Sequence, residues 1–146
     1  MIDAFTAIYE RDLDRLQAEI DAFQEESHVW QTTGSIKNSA GNLCLHLVGN
    51  LNTYIGKNIG GHPYSRDRDA EFSLTGIPKQ ELLAQVEQTK AIVTTTLRSM
   101  DAATLDEIYP EAVFGYSMKT GFFLLHLAAH LSYHLGQINY IRRVFE

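Results

Sequence analysis

Apolar residues recur every three or four positions from the start of the chain. Ile2, Phe5, Tyr9, Leu13, Leu16, Ile20 and Phe23 alternate with Asp, Glu and Arg. That period predicts an amphipathic helix over about residues 2 to 25. The polar stretch 26–38 carries Gly34 and one large anchor, Trp30, and reads as a connection whose indole packs onto the bundle end. A second helix is expected from about Ser39 to Ile59, with Asn38 or Ser39 as N-cap and Gly60-Gly61 as the stop. Its inward stripe comprises Leu43, His46/Leu47, Asn50/Leu51 and Tyr54. Gly60 to Ile77 then reads as a long loop, and loops of that length inside a compact domain are often functional. Its alternating Arg66, Asp67, Arg68 and Asp69 suit local ion pairs or contact with a partner chain. Pro78 opens a third helix, with Leu82, Val86, Val93, Leu97 and Met100 as its stripe, ending near Asp101. After a connection with Pro110 and Gly115, a fourth helix starts between Ser117 and Thr120. It runs almost to the end, where Arg142 and Arg143 favour the helix dipole. No strand pattern appears. The expected fold is all-α: one domain, residues 1–146, built as a four-helix bundle with a long crossover between helices two and three.

Composition changes this picture little. At 146 residues, 45% of them hydrophobic, the chain is long enough for a core without staples. One cysteine, Cys44, excludes an intramolecular disulfide. The net charge of −6, with basic residues scattered, argues against a nucleic-acid partner. The most apolar stretch, Phe122 to Leu131, is interrupted by His126 and His130 and is too short to span a bilayer. The first residues show no basic-then-apolar leader pattern, so the expectation is a cytoplasmic protein with no membrane partner.

The chemistry lies in the last helix. His126, His130 and His134 stand at i, i+4 and i+8, so on a helix they fall within about 80° of one another. Imidazoles grouped among Leu and Ala need partners for their ring nitrogens, and neutral histidine is the commonest protein ligand for divalent metals. Either His126/His130 or His130/His134 has the spacing to share one ion, given a third ligand from a facing helix. His46 is the candidate, mid-helix with Asn50 on the same face. Hydrogen-bonded core histidines remain the competing reading. His28 and His62 fall in connections and read as ordinary surface residues. Glu25-x-x-His28 has di-iron spacing, but that architecture needs two such motifs and this chain has one. Cys44 lies about 200° around the helix from His46, too far to share its metal, and reads as a packing residue.

His46 in helix two, followed in helix four by His130-x-x-x-His134-x-Gly136-Gln137, resembles the DinB-like (YfiT-like) superfamily. Asn50-Leu51, Gly60-Gly61, the Arg66-Asp67-Arg68-Asp69-Ala70-Glu71-Phe72 loop and Tyr133-His134-Leu135-Gly136-Gln137 resemble one uncharacterised-domain branch of it. The resemblance spans nearly the whole chain. It implies a four-helix bundle, commonly a homodimer, with a divalent metal such as zinc or nickel on His46, His130 and His134. His126, Asn50, Tyr54 and Gln137 would then stand behind the ligands or line the pocket. Members of the superfamily include S-transferases that use low-molecular-weight thiols such as bacillithiol or mycothiol. The implied function is therefore a metal-dependent thiol transferase or hydrolase acting on a small molecule, with His126, Tyr54 and Glu71 as candidate bases. The alternative is a non-catalytic metal- or ligand-binding dimeric bundle.

Overall fold

The computed structural model describes all of residues 1–146. It is all-helical, with α1 at Ile2–Asp21, α2 at Ala40–Leu51, α3 at Arg68–Ser73, α4 at Lys79–Ser99 and α5 at Thr120–Phe145. Four of these form the bundle. Both α1 and α2 pack against α4 and α5, so α1 and α2 face each other diagonally. Ion pairs Asp14–Lys90 and Glu10–Arg98 set α1 antiparallel to α4. The Tyr9 hydroxyl donates to the Leu124 carbonyl at 2.7 Å, and the Glu146 carboxylate accepts from the Gln24 and Glu25 amides. These contacts set α1 parallel to α5. Asn52 donates to Thr89 at 2.8 Å, and a Cβ on Gly60 would lie 2.4 Å from the Thr96 hydroxyl, so α2 and α4 run the same way. Parallel neighbours require the chain to return along the bundle between them, which is why the crossover is long.

Three boundaries differ from the sequence expectation. The first helix ends at Asp21, though Phe23 beyond it is still buried, and a 3₁₀ turn at Glu26–Trp30 follows. Trp30 lies flat against Gly41, where a Cβ would sit 2.6 Å from the ring. The second helix changes winding after Leu51: Asn52–Lys57 is π-helical, with Asn58 N–H donating to the Thr53 carbonyl at 3.0 Å. Ser39 is the N-cap, accepting from the Asn42 amide at 3.1 Å, and Gly61 ends the segment at φ +69. The third difference matters most for function. The expected loop Gly60–Ile77 contains helix α3, which Asp67 caps by accepting from the Ala70 amide at 3.0 Å. Asn42 holds it down by donating to the carbonyls of Glu71 (3.0 Å) and Leu74 (2.8 Å). With α3 covering it, every residue of α2 from Ala40 to Leu51 is buried, where the sequence pattern predicts a single inward stripe. No helix is long and apolar enough to cross a membrane.

Candidate metal centre

The bundle brings His46 of α2 against His130 and His134 of α5. Nε2 of His130 lies 3.1 Å from Nε2 of His46 and 3.1 Å from Nε2 of His134. The two α5 rings meet this way because four residues advance a helix by little more than one turn. His46 reaches them because α2 runs antiparallel to α5 at this level, as Tyr54 against Phe123 shows one step further along.

The outer nitrogens decide the protonation. His46 Nδ1–H donates to Glu71 Oε1 at 3.1 Å, so in the neutral ring Nε2 carries the lone pair. His134 Nδ1–H donates to Gln137 Oε1 at 2.7 Å, with the same consequence. Two lone pairs therefore point at His130 Nε2, and a single N–H there cannot bond both well. His130 Nδ1 is meanwhile buried without a partner. Three imidazoles converging in this way form, in their neutral state, a donor set that can hold a metal ion. The two 3.1 Å spacings to His130 are close to the about 3.3 Å that nitrogens keep on a tetrahedral ion at bond lengths of about 2.0–2.1 Å, and all three ligand atoms lie within 4.8 Å of one another. Burial and the neighbouring rings hold His130 down at about 3, and burial also lowers His134, so both stay neutral at ordinary pH.

Glu71 is the residue whose role was not legible in the sequence. Its side chain is buried, and Arg66 clasps it with Nε to Oε2 at 2.8 Å and Nη2 to Oε1 at 2.9 Å. Burial pushes the carboxyl up, but the hydrogen bonds from His46 and Arg66 outweigh that and keep it below the usual range. The space it occupies exists because position 49 is glycine: a Cβ there would lie 1.9 Å from Glu71 Oε2. A glycine inside a helical pattern is destabilising and signals such a close approach. That was the available clue. Phe72 completes the cover, its ring centroid 4.9 Å from that of His46. The sequence offers Glu71 as a candidate base; its oxygens are instead engaged by His46 and Arg66. The expected alternation of ion pairs in this loop reduces to one inward pair, Arg66–Glu71, with Arg68 standing over the Phe72 ring at 5.7 Å.

His126 does not join the three converging nitrogens; its centroid is 6.3 Å from that of His130. It stacks on Phe123 at 6.0 Å and meets Phe114 edge-on at 4.7 Å. Together with His46, His130, Asn50, Tyr54, Arg66 and Arg68 it lines a chamber of about 440 Å³ opening beside the triad. Asn50 is buried there with its Oδ1 unpaired, and Tyr54 lies under the Arg66 guanidinium at 5.6 Å. Gln137 faces the opposite side, on His134. Cys44 is fully buried and its thiol is pushed up to about 12, which fits the packing role. His28, expected to be a plain surface residue, pairs with Glu146 at 3.0 Å.

No curated protein matches this chain. The family model described as the DinB superfamily matches residues 8–138, a span that includes all three converging histidines, and the chain belongs to that superfamily.

Proposed function

We propose that His46, His130 and His134 hold a divalent ion, zinc or nickel, and that the protein is a metal-dependent enzyme acting on a small molecule in the adjoining chamber, by low-molecular-weight thiol transfer or hydrolysis. One observation carries the reading: three Nε2 lone-pair positions converge, and the chamber opens beside them. When bound, an ion on three neutral histidines keeps open positions and supplies Lewis acidity there. The chain's part is orientation. Glu71 and Gln137 keep the protons of His46 and His134 on Nδ1, turning Nε2 inward. Because Glu71 is tied to Arg66, His126 and Tyr54 are the groups left facing the chamber to move a proton.

The test is metal content by mass spectrometry on untagged protein, wild type against His130→Ala. About one ion per chain in the wild type, lost in the variant, supports the site and justifies screening thiol substrates and esters. Wild-type protein that stays metal-free after reconstitution with zinc and nickel overturns it.

A second observation supports pairing of two copies through α5. From Thr120 to Ile141 the helix bears no charged residue. Its outer face nevertheless exposes Phe122, Leu125, Tyr133 and Tyr140 by more than half, around the small exposed residues Ala129, Ser132 and Gly136. Such a charge-free apolar strip is what a two-fold interface buries. Sedimentation should show a dimer that Leu125→Glu converts to a folded monomer. A wild-type monomer at micromolar concentration removes this proposal.

A further inference from the structure

The chain is acidic, with 18 Asp and Glu against 12 Lys and Arg. Its chamber reverses that sign: the lining holds two arginines and three histidines and no carboxylate. The Arg66 charge is neutralised by Glu71. Arg68 is exposed at the mouth, over the Phe72 ring, and pairs with no carboxylate. An ion on three neutral imidazoles also keeps its whole charge, because Glu71 is already balanced by Arg66. A concave site walled by low-dielectric side chains focuses such a field on whatever enters. The walls here are aromatic: Phe114, Phe123 and Tyr54, with His126 between the two phenylalanines. A bare inorganic anion would leave the exposed Phe114 ring and the half-buried Tyr54 ring facing water, and a cation would meet Arg68.

We infer that the chamber takes a small organic carboxylate, its anionic head toward the triad and Arg68 and its apolar body against Phe114 and Tyr54. This rests on the metal proposal above and names the substrate class for it. A space of about 440 Å³ falls within the usual range for small-molecule sites.

The experiment uses the full chain loaded with zinc, the zinc content being measured on the same sample. Benzoate, benzamide, benzylamine and acetate are titrated into it by calorimetry. Benzoate should bind at least tenfold more tightly than benzamide or acetate, and benzylamine should not bind. Arg68→Gln should weaken benzoate about fivefold or more while leaving benzamide unchanged. Phe114→Ala should weaken benzoate more than acetate. Arg143→Gln, at the far end of α5 over Tyr140, should change neither. Zinc-loaded protein that binds benzamide or benzylamine as tightly as benzoate overturns the inference and leaves the metal reading standing. So does acetate equal to benzoate, which would reduce the effect to the ion itself, or Arg68→Gln indistinguishable from wild type. A chain that takes up no zinc defeats the metal reading and this inference with it.

Discussion

His46 and His130 meet nitrogen to nitrogen, yet their surroundings are opposites. His46 is buried at 6% exposure and held by a carboxylate that a guanidinium grips in turn, by a phenyl ring, and by a glycine that makes room for all of this. Apart from Gly49, the residues that hold it, Arg66, Glu71 and Phe72, come from α3 and the segment just before it, some 20 to 26 positions further along. His130 and His134 are placed by helix period alone: one has an unpartnered Nδ1 and the other is met by Gln137 three residues on. One side of the site is fixed by tertiary contacts and the other by local geometry. Disturbing the α2–α3 side should therefore cost both fold and affinity, whereas disturbing the α5 side should cost affinity with little loss of fold.

The largest effect should come from Gly49→Ala. A methyl 1.9 Å from Glu71 Oε2 must expel the carboxylate, leaving Arg66 half-buried without its partner and His46 without its acceptor. Overpacking together with a broken ion pair should cost about 3 kcal/mol in urea denaturation. Gly136→Ala is the matched control, since nothing lies within 4 Å of its Cβ. Within the single chain, where Gly136 lies on the outer strip of α5, that change should be neutral or stabilise by up to about 1 kcal/mol. Equal behaviour of the two variants would mean that Glu71 is not wedged against α2.

Next comes Glu71→Gln, which keeps the shape and removes the charge. Zinc affinity measured by chelator competition should fall about 10- to 100-fold, the usual effect of losing the partner behind a ligating histidine. Unchanged affinity would show that the His46 ring needs no carboxylate to present Nε2.

The same contrast explains what the sequence made legible. Helix periodicity was enough for the bundle, for the crossover and for the α5 histidines, because each depends on residues near one another in the chain. His46 could be named because it lies mid-helix on the face of Asn50. The α3 helix was not visible. Six residues, half of them charged, carry no hydrophobic period, and what makes them fold is a long-range landing: Asn42 under the Glu71 and Leu74 carbonyls, and Gly49 under the carboxylate. The π turn at Asn52–Lys57 was equally hidden, since Leu51, Tyr54 and Ile55 fit an α-helical stripe.

A smaller effect should appear in the pH dependence of the metal-free protein. In the unfolded chain His130 titrates near its ordinary 6.5, whereas in the folded chain burial and neighbouring rings hold it down at about 3. Between those values the unfolded state binds a proton that the folded state refuses, so stability rises with pH there. The contribution is therefore complete above about pH 6.5 and is lost progressively as pH falls toward 3. His134, lowered by burial, adds to the same slope. Urea midpoints measured across this range with chelator present should decline on acidification, and His130→Gln, which cannot titrate, should flatten the decline. An identical slope in the variant would mean that other groups carry it.

The smallest effect should be that of Gln137→Ala. Gln137 accepts from His134 Nδ1 at 2.7 Å from one turn further along the same helix, and it is half-buried. Water can take over a neutral acceptor's role at such a position, and the ring is already aimed by its i+4 relation to His130. The loss should amount to one ordinary hydrogen bond, about three- to tenfold in zinc affinity, with urea stability of the metal-free chain nearly unchanged. This is the sharpest probe of the asymmetry, because Glu71 and Gln137 do the same job on the two sides of one site. If Gln137→Ala costs as much affinity as Glu71→Gln, the α5 side is as dependent on its outer partner as the α2 side. Placement by helix period would then not be sufficient to hold His134 in register.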